Sequence, residues 1–386
     1  MGSAPSRNPD SRGPRTKCLI AAAVFLLAAL ALFYLRYDLR AYSVLMHLSD
    51  SQTSGALLRW ETRSSTCMDL TIPTAGGPIA AQLYFPEGVA HPPGIVLIHG
   101  IHHLGIHDPR FQNLARSFSG AGFAVLAPVI DALADYHVDG ESLETIGESA
   151  RWLENRIGSG PVTLMGISFG GGLALMVAAE PQYASSVRAV VAIGAYEDLA
   201  RVSRYLATSE EIFPDGKMVH EPAHDYGAAV FVYAHLQQFF SPADIPTAHN
   251  ALRYFLWEQP ALAQPLLPQL SAEGRATMEA LLARRIDELR PQLLDAINAD
   301  EKELAAVSPH AHIASLRAPV FLLHGSADNV IPPAESLWLA REVPREDLRA
   351  VLITPVFSHV DLKGAASKWD EMRLVHFIGS VLRAAN

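Results

Sequence analysis

Residues 162–179 read Val162-Thr163-Leu164-Met165-Gly166-Ile167-Ser168-Phe169-Gly170-Gly171-Gly172-Leu173-Ala174-Leu175-Met176-Val177-Ala178-Ala179. The first four form a short, nearly unbroken apolar run, the pattern of a strand covered on both faces. The last seven suit a buried helix. Between them stands Gly-x-Ser-x-Gly. Glycine inside a helix is disfavoured by about 1 kcal/mol relative to alanine, yet Gly170, Gly171 and Gly172 follow one another where the helix must begin. Close packing at a sharp strand-to-helix turn explains them, and such a turn holds a serine hydroxyl out where a base can reach it. The five-residue pattern alone is weak in a chain with 26 glycines. Its setting between strand and helix makes it informative.

The same alternation extends outward in both directions. Residues 94–98 are an apolar run ending at His99-Gly100. Residues 111–119 read as a helix stopped by Gly120-Ala121-Gly122, then 123–127 as a strand ended by Pro128. A helix is expected over 141–157 and a strand over 187–193. Strands resume at 319–323 and 348–353, and a helix over 367–382 closes the chain. Upstream, 66–72 and 79–85 flank Gly76-Gly77-Pro78 as a hairpin. The pattern predicts an α/β fold, a doubly wound, mostly parallel sheet with helices on both faces. Between about residues 199 and 304 the strands cease. Helical periodicity broken by prolines takes over, at 248–258, 272–289 and 291–304. That stretch is too long for a loop and reads as a helical insertion.

The N-terminus carries a different signal. Arg7, Arg12, Arg15 and Lys17 precede an uncharged run over residues 18–35, followed by Arg36, Asp38 and Arg40. As a helix, the run would extend about 27 Å, enough for one transmembrane helix. The basic flank would keep the N-terminus in the cytoplasm and the rest outside. Arginine outnumbers lysine 25 to 5, the bias of a GC-rich bacterial genome, which would make this an inner membrane with the main domain facing the periplasm. The rival readings are a signal peptide cleaved near Ala29-Leu30-Ala31, giving a secreted protein, and a helix buried in the core. The expected organisation is a cytoplasmic tail (1–17), an anchor (18–35), a juxtamembrane segment (36–65), a core in two parts (66–200 and 305–386) and the insertion (201–304).

Composition removes other classes. With 49% hydrophobic residues the chain is not disordered, and a net charge of −10 argues against a nucleic-acid partner. Two cysteines, Cys18 and Cys67, support neither a disulfide framework nor a structural zinc site.

Two further segments carry chemistry. Asp328, in His324-Gly325-Ser326-Ala327-Asp328, follows a strand and is placed to orient a histidine; a turn-forming aspartate is the plainer reading. His359, in Phe357-Ser358-His359-Val360, follows the next strand. It is one of 16 histidines, so order is what distinguishes it: Ser168, Asp328 and His359 follow three separate strands as nucleophile, acid and base.

With these residues in that order, the chain resembles the α/β-hydrolase superfamily, in particular its dienelactone-hydrolase-like and prolyl-oligopeptidase-like serine hydrolases. The resemblance covers residues 66–200 and 305–386 and extends to His99-Gly100 and to the segment 324–332. It implies Ser168 as nucleophile, His359 as general base and Asp328 as the group fixing its tautomer. It also implies an oxyanion hole from the backbone N–H groups of Phe169 and Ile101, and no metal or organic cofactor. The expected substrate is a small-molecule or lipid-like acyl compound: an ester first, a thioester or amide next. An aminopeptidase-like enzyme is the alternative, and a non-catalytic binding protein of the same fold a further one. The insertion is expected to cap the site, with Phe239, Phe240 and Trp257 lining an acyl pocket.

Other candidates have plainer readings. His102, His103, His107 and Asp108 could ligate a metal but border the mouth of the site in any case. His220 and His224 read as surface residues. Tyr254, Phe255 and Trp257 read as packing of the insertion. Asp131 and Asp135 read as loop residues. Asp198 is the next acid to consider should Asp328 not serve.

Overall fold

The computed structural model describes residues 14–49, 63–357 and 367–386. The strands are β1 (Ser65–Ile72), β2 (Ile79–Pro86), β3 (Gly94–Ile98), β4 (Ala124–Pro128), β5 (Val162–Ile167), β6 (Val187–Ile193), β7 (Glu210–Ile212), β8 (Met218–His220), β9 (Val320–Gly325) and β10 (Leu348–Thr354). Eight of them form one sheet in the order β1-β2-β4-β3-β5-β6-β9-β10. The β1–β2 and β2–β4 pairs are antiparallel and the rest parallel, so the sheet is mostly parallel and carries the β1–β2 hairpin, as the sequence predicts.

The apolar runs follow from burial on both faces. In β3, Val96 and Ile98 enter one apolar layer, while Ile95 and Leu97 enter the other. Successive residues of a strand point to opposite faces, so a strand with helices above and below needs apolar residues throughout. Helix α1 (Pro14–Ser49) and α2 (Pro109–Gly120) lie on one side of the sheet. Beyond β4 come the short α3 (Asp131–Ala134) and then α4 (Glu141–Ile157), which packs with α5 (Phe169–Ala179) on the other side.

Register determines where the site must lie. Ile98 pairs with Gly166, Gly166 with Ala192, and Ala192 with Leu322. The turns after β3, β5, β6 and β9 therefore emerge side by side at the carboxyl edge of the sheet, where open α/β sheets form their ligand crevice.

Between β6 and β9 the chain runs through α6 (Leu199–Thr208), α7 (Asp225–Ala234), α8 (Ile245–Leu256), α9 (Pro260–Ala263), α10 (Ala272–Leu282), α11 (Ile286–Ala299) and α12 (Glu301–Ala306). It also contains the antiparallel β7–β8 hairpin, which helical periodicity did not predict because three-residue strands show no alternation. The helix expected over 272–289 breaks instead near Arg284, whose φ is 59°, and Pro291 sits inside α11. After β9 come α13 (Ala334–Glu342) and, following β10, α14 (Lys368–Ala385).

The membrane anchor expected over 18–35 finds no support. That run is part of α1, and among the described residues no helix is long and apolar enough to cross a membrane. Helix α1 does not end at residue 35: its C-terminal part joins the core, with Tyr37, Ala41 and Val44 buried in one apolar layer with Phe377, Ile378 and Val381 of α14. The two helices meet at Gly379, where an added Cβ would lie 2.2 Å from Asp38 Oδ1. Leu19, Val24, Phe25 and Leu26, towards the other end, are 60–77% exposed.

Candidate active site

Ser168 stands at the junction of β5 and α5 with φ 55° and ψ −127°. A positive φ is rare for a residue with a side chain and persists only where surrounding contacts impose it. Here they do. The Ser168 N–H donates to the Ile193 carbonyl (2.7 Å), and its own carbonyl accepts from Gly171 N–H (2.9 Å). The flanking glycines permit the turn: a Cβ at Gly166 would lie 2.2 Å from the Gly170 carbonyl oxygen, and one at Gly170 would lie 2.4 Å from that of His99. Ser168 occupies the N-cap position of α5, yet its side chain makes no capping hydrogen bond. The residue is 3% exposed.

The loop after β3 lies against it. A Cβ at Gly100 would sit 3.1 Å from Ser168 Cβ and 3.6 Å from its Oγ. Two backbone donors flank this place, Phe169 at the first turn of α5 and Ile101 just past Gly100. Among the described residues neither N–H has an acceptor. His99 braces the loop from below. Its Nε2 accepts from Ile130 N–H (3.2 Å), which leaves the proton on Nδ1, donated to the Gly100 carbonyl (2.8 Å). Burial pushes this imidazole down to about 4, so it is neutral near pH 7. The sequence marks His99 only by its place before Gly100; its bracing of the loop depends on Ile130, 31 residues away.

Asp328 follows β9 and is buried. Its Oδ1 accepts from the N–H groups of Val330 and Ile331, both at 3.0 Å, so the turn-forming role read from the sequence is present. Its Oδ2 lies 3.5 Å from His324 Nε2. That ring is buried, with Nε2–H donating to the Ile331 carbonyl (2.9 Å) and Nδ1 accepting from the Ser336 hydroxyl (2.7 Å). His359 lies outside the described residues, which stop at Phe357 after β10 and resume at Ser367. Asp198 is engaged elsewhere: it caps α6, accepting from Ala200 N–H (2.8 Å) and Arg201 N–H (3.2 Å).

The insertion touches the same edge at several points. Tyr136, after β4, donates its hydroxyl to the Leu256 carbonyl (2.9 Å). Asp135 accepts from the Tyr233 hydroxyl (2.9 Å) and from Arg253 (3.1 Å). His103, in the loop after β3, stacks on Trp257 with ring centres 5.5 Å apart. His224 N–H donates to the carbonyl of Asn329, next to Asp328 (2.7 Å). Trp257 Nε1 is buried and has no partner among the described residues. Phe239 and Phe240, expected to line an acyl pocket, are buried in the apolar layer they share with Phe231 of α7, and Phe239 meets Phe231 edge to face.

The remaining candidates have structural partners. Asp108 caps α2 and pairs with Arg110 (2.8 Å); His102 Nδ1 stands 3.7 Å from it. His103 Nδ1 lies 3.2 Å from the Tyr136 hydroxyl. His220 is exposed, and His224 caps α7 by accepting from Tyr226 N–H.

Among curated proteins none matches the chain. Solved structures do. An acylaminoacyl peptidase from Pyrococcus horikoshii is 11% identical, covers 78% of this chain and 39% of its own, and gives a TM-score of 0.45. The chain thus spans about two fifths of that protein. The esterase domain of a Rhodothermus marinus protein is 17% identical over 83% of this chain and 97% of its own, with a TM-score of 0.43. A 2-hydroxy-6-oxo-6-phenylhexa-2,4-dienoate hydrolase from a Rhodococcus species is 16% identical over 83% and 99%, with a TM-score of 0.41. The model of the alpha/beta hydrolase fold family matches residues 93–355, more than half of the chain. With an eight-stranded, mostly parallel sheet and a strand–serine–helix turn at its carboxyl edge, this chain belongs to the alpha/beta hydrolase fold family.

Proposed function

We propose that the chain is a serine hydrolase that cleaves an ester by acyl transfer to Ser168, with thioesters or amides as lesser substrates. The observation that carries the reading is the elbow: a buried serine at φ 55° whose hydroxyl is not used as a helix cap, beside two backbone N–H groups that have no acceptor among the described residues.

His359 takes the proton from Ser168 Oγ as Oγ bonds to the acyl carbon. The carbonyl oxygen becomes an oxyanion that accepts from the N–H groups of Phe169 and Ile101, donors already oriented before charge develops. Collapse breaks the bond to the leaving group, which takes the proton from His359. Water, activated by the same imidazole, then releases the acid and restores Ser168. Asp328 holds the His359 tautomer and stabilises the imidazolium. No step calls on a metal or organic cofactor.

The insertion serves as a cap that excludes water and shapes the acyl side. Its contacts with the loops after β3, β4 and β9 support this. Location belongs to the same proposal and rests on sequence alone: the basic flank over residues 7–17 and the uncharged run over 18–35 support an extracytoplasmic domain. Protease protection in spheroplasts tests it.

A panel of chromogenic esters, thioesters and aminoacyl amides, run on the wild type and on Ser168→Ala, tests the activity. Ester turnover lost in the variant supports the reading. Turnover that persists in the variant contradicts it, and preference for aminoacyl amides would move the assignment to a peptidase.

A further inference from the structure

A second cluster of ionisable groups lies at the root of the insertion and has no part in the proposed reaction. Glu197 stands four residues beyond β6, where the insertion leaves the sheet. His310 stands where it returns, and Glu342 ends α13. The His310 N–H of the main chain donates to the Glu197 carbonyl (3.1 Å), so the two ends of the insertion are already joined there.

The side chains converge on one ring nitrogen at hydrogen-bond distance. His310 Nδ1 is 2.8 Å from Glu197 Oε1 and 2.9 Å from Glu342 Oε2. One ring nitrogen carries one proton and can satisfy only one carboxylate well. The three donor atoms lie within 4.8 Å of one another. Glu197 is 1% exposed and Glu342 half-buried, and setting a second carboxylate beside a buried one is unfavourable unless a positive charge sits between them.

The neighbouring arginine does not fill that role. Arg201 bonds both oxygens of buried Glu335, through Nε at 2.6 Å and a terminal nitrogen at 3.0 Å. It reaches Glu197 only at Oε2 (2.6 Å) and passes 3.8 Å from Asp198. Four carboxylates thus share one guanidinium and one imidazole among the described residues. The unshared oxygen of Glu197 points at His310 and Glu342.

We propose that Glu197, His310 and Glu342 bind one divalent transition-metal ion of the zinc type, which pins both ends of the insertion to α13. The donor set decides the class. An imidazole nitrogen with two carboxylates suits zinc, whereas calcium and magnesium seek six or more oxygens. Tetrahedral zinc with bonds near 2.0–2.2 Å sets its ligands about 3.3 Å apart, so His310 Nδ1 needs to draw back from each carboxylate by only about half an ångström. The metal takes the place of the proton on His310 Nδ1, which is released to solvent. His310 is largely exposed, so water completes the coordination.

The experiment uses the full chain freed of metal by a chelator, titrated with zinc chloride by calorimetry and followed by thermal unfolding. One ion per chain is expected, with a rise in Tm of several degrees. His310→Ala and Glu342→Gln, at positions that are not buried, each weaken binding by more than about tenfold while fluorophosphonate labelling stays at the wild-type level. Cobalt(II) absorption on the wild type gives an independent reading, because tetrahedral coordination produces strong visible bands. Absence of saturable binding overturns the proposal. So does binding undiminished in both variants, which would place the metal at another site such as the loop of His102 and Asp108.

Discussion

The serine turn and the insertion meet at one edge of the sheet but are held in opposite ways. Around Ser168 the constraint is steric and local: β5, α5 and the loop after β3 approach so closely that Gly166 and Gly170 leave no room for a methyl group. The insertion shares the apolar layer on one side of the sheet, and across the edge it adds polar contacts, such as partly exposed Arg253 and buried Tyr233 with Asp135. A nucleophile must be positioned within fractions of an ångström, whereas a cap must be able to leave. The contrast matches the tasks proposed for the two regions.

Four perturbations break or sharpen this comparison, in falling order of expected effect. Asp328→Asn keeps an oxygen for the Val330 and Ile331 N–H groups, so the fold should survive, while the changed group would hold the wrong tautomer of His359. Turnover should fall by about 10⁴-fold, read as kcat on an activated ester. The matching change Asp198→Asn retains a competent helix cap and should leave kcat within about tenfold. Were Asp198→Asn the damaging one, the acid would have to be reassigned.

Gly170→Ala tests the steric side. Its Cβ would press on the His99 carbonyl oxygen at 2.4 Å, a backbone atom that cannot swing aside. Stability should drop by about 1–3 kcal/mol in chemical denaturation, with activity lost alongside. A neutral result would mean the elbow is looser than drawn.

The third concerns pH. Burial lowers the His99 pKa to about 4 from its ordinary 6.5. Its stabilising contribution is therefore complete above about pH 6.5 and is lost as pH falls towards 4, because the unfolded chain takes up the proton first. The loss is of order 3 kcal/mol. Denaturation midpoints measured from pH 7 to 4 should show a decline that His99→Gln reduces.

The fourth addresses the cap. Arg253→Ala removes a partly exposed ion pair and should change stability by no more than about 1 kcal/mol. Its effect should appear in KM for bulky esters rather than in kcat for small ones. Equal loss on both would tie Arg253 to the chemistry instead.

What could be read from the sequence divides along the same line. The sheet, its order of elements and the serine turn were legible because each is encoded by neighbours: an apolar run, then glycines, then an apolar helix. The contacts of the insertion were not. Arg253 and Asp135 are 118 residues apart, and Tyr136 and Leu256 are 120 apart, so no local pattern links them. The break at Arg284 was missed because a non-glycine residue takes the positive φ, and Pro291 misled because it is accommodated inside α11. The run over 18–35 looked self-contained, yet its helix continues into residues that pack on α14. His359 was read from order alone and lies outside the described residues.

The central claim is that Ser168 is the nucleophile. Wild-type protein treated with a fluorophosphonate, digested and examined by mass spectrometry should carry one adduct, on the peptide containing Ser168, and Ser168→Ala should carry none while keeping its circular-dichroism spectrum. An adduct on another serine, or labelling of a folded Ser168→Ala at the wild-type level, would contradict the account.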